Sequence, residues 1–388
     1  MKKFLSALCA ICILISTLCI ICSAEIRPDI QAAASGTALE LSSASACLME
    51  ASTGEILYEQ NANERLEPAS VTKVMSLLII MEALDDGTLT LDDMVSGSSH
   101  AASMGGSQIW LEVGEQLSVN DMLKAIVVSS ANDCTVAMAE HIAGSEETFV
   151  GRMNQKAVEL GMENTHFSNC TGLPVSDHYT TARDIAIMTR ELLKHQTIFN
   201  YTTIWTDSLR GGAMGLSNTN KLIRFYNGAN GMKTGFTSSA LYCLSATAKR
   251  DKMQLIATIM KGPTSDQRFQ DAKKLLDYGF ANFSLYEPDT SDITEIRVTG
   301  GICDSVKIGC ASNSILLAKG KEKQTVSEIV LEQKLSAPVK EGQNVGYVSY
   351  TVDGTEVSRV PIVTLESVKR IGFGDIFKRM FTKSVAIG

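Results

Sequence analysis

The sequence predicts an α+β chain: an antiparallel sheet flanked by helices, then a small all-β domain, then a C-terminal amphipathic helix. Three observations predict it. Strand-like runs stand at both ends of the first region with helical patterns between them, short alternating runs fill a later region, and the last twenty residues carry apolar positions at helical spacing. With 388 residues, 45% hydrophobic and 20% charged, the chain can bury a substantial core, which excludes a disordered or multi-pass membrane protein. The net charge of −8 argues against a general nucleic-acid binder, so no nucleic-acid partner is expected.

Lys2 and Lys3 precede an uncharged run from Phe4 to Ala24, and Cys22-Ser23-Ala24 presents the small residues a signal peptidase accepts. Residues 1–24 therefore read as an export signal, with an uncleaved membrane anchor as the competing reading. The two C-x-x-C pairs among Cys9, Cys12, Cys19 and Cys22 lie inside this apolar run, where thiolate ligands have no polar setting, so they are not read as a zinc site. Residues 25–40 are small and polar and form a linker. Of the remaining cysteines, only Cys303 and Cys310 are close enough for a local bridge, and free thiols are an equal expectation.

A catalytic unit is expected over 41–287. Ala46 to Glu50 and Glu55 to Glu59 flank Ser52-Thr53-Gly54 as a hairpin. Pro68-Ala69-Ser70 opens a helix that is apolar on nearly every side down to Asp85-Asp86-Gly87, which marks it as a central buried helix. Ser118-x-x-Asp121 is a capping box for the next helix, and Ser129-Ser130-Ala131-Asn132 interrupts it before another apolar stretch. Helices follow over Glu146–Leu160 and Thr181–Lys194, then strands over Gly231–Phe236, Leu241–Ala248 and Met253–Met260, paired with the first hairpin. A final helix ends near Tyr286.

From 288 to 366 the runs shorten and alternate, as in Glu295–Val298, Ser314–Leu317, Val326–Glu332 and Val345–Val352, giving the small β domain. Over 367–388, Ile371, Phe373, Ile376, Phe377, Met380, Phe381 and Val385 share a face opposite Lys369, Arg370, Lys378, Arg379 and Lys383. A basic amphipathic helix on an acidic chain suits attachment to an anionic membrane surface; packing on its own domain is the alternative.

Three short motifs carry the chemistry: Ser70-Val71-Thr72-Lys73, Ser130-Ala131-Asn132 and Lys233-Thr234-Gly235. Taken singly, they read as a helix cap, an interhelical turn and a strand-end charge. Together they make a reaction centre. Residues i and i+3 share a helix face, so Lys73 can set its amine beside the Ser70 hydroxyl. Burial and the charge of Lys233 would lower the Lys73 pKa and make it a general base for a Ser70 nucleophile. Ser130 can relay a proton to the leaving amine, and Asn132 can hydrogen-bond the substrate backbone. A sheet-edge strand can pair with an extended peptide while Lys233 and Thr234 bind its carboxylate and Gly235 permits close approach. The N–H groups of Ser70 and Phe236 are the expected oxyanion hole.

With Glu67-Pro-Ala-Ser-Val-Thr-Lys73, His166-Phe-Ser-Asn-Cys-Thr-Gly-Leu173, Thr181-Ala-Arg-Asp184 and Asn230-Gly-Met-Lys-Thr-Gly-Phe-Thr237, the chain from about residue 40 onward resembles the serine D-alanyl-D-alanine carboxypeptidases, low-molecular-mass penicillin-binding proteins. The resemblance implies a β-lactamase/transpeptidase-like catalytic domain, removal of the last D-alanine from peptidoglycan pentapeptide stems, and acylation of Ser70 by β-lactam antibiotics. No cofactor is expected, and the export signal with the basic terminal helix places the chain at the outer face of the cytoplasmic membrane or in the cell wall. The resemblance also suggests Lys221 as a carboxylate ligand. The chain departs from many members in having Ala131 where they have glycine.

A class A β-lactamase shares these motifs, but no E-x-x-L-N stretch lies between Ser130 and Lys233. A catalytically idle wall-binding protein would not need the whole set intact. A metal hydrolase is disfavoured because His100, His141, His166, His178 and His195 are isolated, so structural or surface roles are expected and no metal. Trp110 and Trp205 are expected as packing residues.

Overall fold

The computed structural model describes residues 39–312 and 314–375. The export signal over 1–24, nearly all of the linker and residues 376–388 of the expected terminal helix lie outside the described residues.

The first unit is one five-stranded antiparallel sheet. Its strands are β1 (Ser45–Glu50), β2 (Ile56–Gln60), β3 (Ala229–Thr237), β4 (Leu241–Arg250) and β5 (Met253–Gly262), in the order β2-β1-β5-β4-β3. The first hairpin thus pairs with the last strands, with Ser45 opposite Met260 and Glu50 opposite Leu255. Side chains on a strand alternate between faces. Cys47 and Met49 enter one core, while Ala46 and Leu48 enter another on the opposite face.

The first core holds α1 (Lys73–Asp85), α2 (Val119–Val128), α3 (Asn132–Ala143), α4 (Glu146–Glu159) and α5 (Ala182–Leu192). Helix α1 is buried on every side from Lys73 to Met81, as its uninterrupted apolar run demands. The Ser118 hydroxyl caps α2 by accepting from the Asp121 N–H at 3.2 Å. Helix α6 (Ser265–Asn282) covers the opposite face through Phe269, Leu275 and Leu276.

Helix α6 stops at Asn282, short of the expected Tyr286, because Phe283–Tyr286 forms a strand, β6. It pairs with β9 (Ile315–Ala318) and ties the second unit to the first, with Phe283 and Leu316 buried in the α6 core. The second unit's main sheet comprises β7 (Glu295–Thr299), β8 (Ser305–Cys310), β10 (Thr325–Leu331), β11 (Leu335–Ser336), β12 (Asn344–Val352) and β13 (Thr355–Thr364), in the order β10-β12-β13-β8-β7-β11. Cys303 and Cys310 are free thiols. After β13 the chain stays extended, because buried Val368 joins this core and bridges Val339, and the Ile371 N–H donates to Gly300. A helical turn begins only at 373–375, later than the 367 start expected from sequence. Among the described residues no helix is long and apolar enough to cross a membrane.

Candidate active site

Ser70 does not sit in the first turn of an α-helix. It lies in a 3₁₀ turn, Ala69–Thr72, that runs into α1 at Lys73. Side chains at i and i+3 eclipse in a 3₁₀ turn, which brings the Lys73 amine to 3.1 Å from the Ser70 hydroxyl. The Ser70 side chain caps no helix, so the bland reading of this residue fails. Pro68 and Ala69 are buried and Ser70 is partly open, leaving the hydroxyl at the surface end of a buried turn.

Lys73 is wholly buried, and its other partners are the Asn132 side-chain oxygen at 2.5 Å and the Thr171 carbonyl at 2.9 Å. Among the described residues it bonds to no carboxylate. Burial brings its pKa down to about 7, against a smaller upward pull from Cys170 and Asp133. A neutral amine has two N–H groups and one lone pair; Asn132 and Thr171 accept the first two, which leaves the lone pair for the Ser70 hydroxyl. The sequence expectation that Lys233 depresses Lys73 needs correction. Burial is the cause at Lys73, and the repulsion falls on Lys233, which burial, Lys73 and Arg268 together hold well below the ordinary lysine range.

Asn132 opens α3, and its amide is oriented from both ends, donating to the Gly105 carbonyl at 2.7 Å while its oxygen faces Lys73. Ser130 just before it is buried in the left-handed region at φ +65°, and its hydroxyl has no partner among the described residues. A buried hydroxyl without a partner is rare and marks a group kept for another molecule. Ala131 has φ −58° and ψ 115°, which any L-residue adopts, so the methyl in place of glycine is accommodated.

The third motif lies on β3, the free edge of the sheet. Lys233 is buried with its amine on the Thr234 carbonyl at 3.1 Å, and the Thr234 hydroxyl donates to Thr219 at 2.7 Å. Gly235 permits a close approach, as expected, and the visitor is the protein itself. A Cβ there would stand 2.7 Å from the Pro68 carbonyl and 3.0 Å from the Ser70 nitrogen. This contact sets the Ser70 N–H against the strand one residue before Phe236, whose ring is 53% exposed and stacked on Tyr242 at 4.4 Å.

All eight residues expected at the site thus belong to three segments that converge: Ser70 and Lys73, Ser130 and Asn132, and Lys233 to Phe236. Lys221 does not join them; its half-exposed amine faces Asp266 at 3.5 Å. Sequence reasoning missed four contributors. Thr171 presents its carbonyl to Lys73 because Asn169 accepts from the N–H groups of Thr171 and Gly172 at 3.1 and 2.7 Å. Gly172 seats that loop on the Ser70 turn: a Cβ there would overlap the Ala69 carbonyl at 1.8 Å. His178 is buried, accepts from the Ser168 N–H at 3.1 Å and so donates from its other nitrogen to the Thr72 hydroxyl at 2.7 Å. Burial first, then His166, lowers its pKa to about 4 and keeps it neutral. Arg268, from α6, donates to the Gly235 carbonyl at 2.9 Å and adds a buried cation behind the edge strand. The first three fall in or near the stretch His166–Leu173; Arg268 had no signal.

Among the described residues, no trio of His, Cys, Asp or Glu could hold a metal ion. What the arrangement can do is activate a serine hydroxyl beside a sheet edge backed by Lys233 and Arg268.

Known proteins are similar to this chain over most of its length. Residues 31–264 match the family model described as D-alanyl-D-alanine carboxypeptidase, and 280–370 match that of the penicillin-binding protein 5 C-terminal domain. The D-alanyl-D-alanine carboxypeptidase DacF of Bacillus subtilis (strain 168) is 44% identical over 343 residues, covering 86% of this chain and 88% of its own. DacC of Escherichia coli (strain K12) is 34% identical, covering 84% of each. The crystal structure of penicillin-binding protein 5 from Haemophilus influenzae superposes with a TM-score of 0.75 at 32% identity, over 86% of this chain and 99% of that one. The convergent serine, lysine and edge-strand motifs, with the trailing β unit, identify this chain as a serine peptidase of the D-alanyl-D-alanine carboxypeptidase family.

Proposed function

We propose that this chain is a serine-type D-Ala-D-Ala carboxypeptidase that removes the terminal D-alanine from peptidoglycan pentapeptide stems through a Ser70 acyl-enzyme, and that β-lactams acylate the same hydroxyl. One observation carries the reading: a buried Lys73 amine, 3.1 Å from Ser70, bonded to no carboxylate among the described residues and with its pKa lowered to about 7. The stem lies along the free edge of β3, its carboxylate drawn by Lys233, the Thr234 hydroxyl and Arg268. Neutral Lys73 takes the Ser70 proton as the oxygen bonds to the penultimate carbonyl carbon. The resulting oxyanion is held by the N–H groups of Ser70 and Phe236. Collapse breaks the peptide bond as the Ser130 hydroxyl gives its proton to the departing D-alanine amine and takes one from protonated Lys73, which returns to its neutral form. Water then hydrolyses the ester with Lys73 again as base.

The basic apolar pattern over 367–388 and the uncharged run after Lys3 support an exported enzyme held at the outer face of the cytoplasmic membrane or in the cell wall. The test is D-alanine release from a peptide ending in D-Ala-D-Ala, with mass analysis after penicillin exposure. Release and a single adduct on Ser70, both lost in Ser70→Ala, are expected. Equal release by that variant overturns the reading.

A further inference from the structure

Two segments hold the acceptors of the Lys73 amine in place. The first, 166–173, carries the Thr171 carbonyl, 2.9 Å from the amine. The second, 98–107, turns the Asn132 amide: the Gly105 carbonyl accepts from its Nδ2 and the Ser107 carbonyl from its backbone N–H, each at 2.7 Å. Connecting segments lack a continuous ladder of their own, so where they place a carbonyl depends on tertiary anchors.

One carboxylate anchors both segments. Glu146, the first residue of α4, accepts the Cys170 N–H at 3.1 Å on one oxygen and accepts from Nε2 of His100 at 2.7 Å on the other. Burial pushes its pKa up, but the Cys170 N–H and then His100 outweigh burial and hold it below the ordinary glutamate range, so the carboxylate stays ionised. Cys170 is fixed from its other side as well, its carbonyl accepting from the Ser76 hydroxyl of α1 at 2.7 Å. The backbone just before Thr171 is thus strung between α4 and α1, with Ser76 one turn beyond Lys73. His100 belongs to the helical turn Ser99–Ala102, which is seated by buried Ala101 and precedes Gly105.

We infer that Glu146 is a positioning residue for the reaction: clasped to His100, it holds the two segments in register, so that Asn132 and Thr171 keep the Lys73 amine with its lone pair toward Ser70. The inference rests on the reading of Lys73 as the base for Ser70. Glu146 and His100 bond to neither Ser70 nor β3 among the described residues, and they act only through the acceptors of the amine. Their loss should therefore slow the chemical step and leave ligand binding alone.

The experiment follows penicillin acylation of the full chain over a range of concentrations, which separates the maximal rate from the half-saturating concentration. A misplacement of about 1 Å costs about a hundredfold, and Ser76 and Asn169 still hold the 166–173 segment, so Glu146→Ala should lose about tenfold in maximal rate at an unchanged half-saturating concentration. Glu146→Gln keeps an oxygen for Cys170 and an N–H for the imidazole, and should stay within about threefold of the intact protein. His100→Ala should lose about threefold, and the double variant no more than Glu146→Ala alone, because both substitutions remove one contact. A maximal rate unchanged in Glu146→Ala, a Gln variant no better than Ala, a loss carried by the half-saturating concentration, or losses that multiply in the double variant each overturn the inference. Should Glu146→Ala fail to fold, as thermal unfolding will show, His100→Ala decides, and an unchanged maximal rate overturns it. Acylation without D-alanine release sinks the carboxypeptidase reading and leaves this series to judge the clasp. If the intact protein does neither, titration of Lys73 by NMR, with lysine labelled at Cε, judges it without chemistry. A midpoint that rises in Glu146→Ala, as water reaches the amine, and holds in Glu146→Gln supports the inference; one that does not rise overturns it.

Discussion

The two folded units treat buried polarity in opposite ways. The first buries Lys73, Lys233, Arg268, Asp133 and Asp271 beside many hydroxyls, whereas the second, among the described residues, buries only Ser349 and Thr364 in an otherwise apolar core. Burying a charge costs several kcal/mol unless its surroundings compensate, so a fold needing only stability fills its interior with side chains like those of the second unit. The sheet edges differ in the same sense. Strand β3 backs its free edge with buried Lys233, Thr234 and Arg268, while edge strand β10 exposes Val326, Ile329 and Val330 with no such groups behind it. Interior charge thus gathers in the unit that holds the site, although part of it, such as Asp271 bonded to Ser42 and Ser43, only ties the chain together.

The sharpest way to break that contrast is Gly235→Ala. The added methyl must push β3 away from the Pro68 carbonyl and the Ser70 nitrogen. A displacement on the order of 1 Å costs about a hundredfold. We expect at least that loss in the rate of penicillin acylation, and near-normal acylation would contradict the close contact described here. Next in size is pH. Lys73 must be neutral to act, and its pKa is lowered to about 7, so acylation should fall about tenfold per pH unit below 7 and level off above it. A profile flat down to pH 5 would remove Lys73 from the role of base. Smallest in its effect on turnover is Ile362→Ala in the second core, where the side chain is fully buried. It should cost about 2–5 kcal/mol in stability, read by thermal unfolding. D-alanine release by the folded protein should stay within about twofold, and a larger loss would mean that the two units share the reaction.

Much of the catalytic unit was legible because its signals are local. The hairpin, the all-apolar α1 and the three motifs each lie within a few residues, and their convergence follows once β1 pairs with β5. The rest depended on contacts that leave no mark in a side-chain pattern. Thr171 acts through its carbonyl, 98 positions from Lys73. Arg268 reaches the strand from a helix on the far face, and the 3₁₀ turn at Ser70 is set by what packs on it, namely Gly172 and Gly235. Trp110 misled for the opposite reason: indoles usually seek a core, and only tertiary anchors at Asp133 and Arg210 hold this one out of it.

Closing the first sheet has a consequence for how the chain is made. Strand β1 occupies an interior position whose partner on one side, β5, lies more than 200 residues downstream. Until a ribosome has delivered that segment, the opening hairpin has no partner on that side. Such distant pairing makes for slow folding, so the sheet closes only once the last strands have emerged.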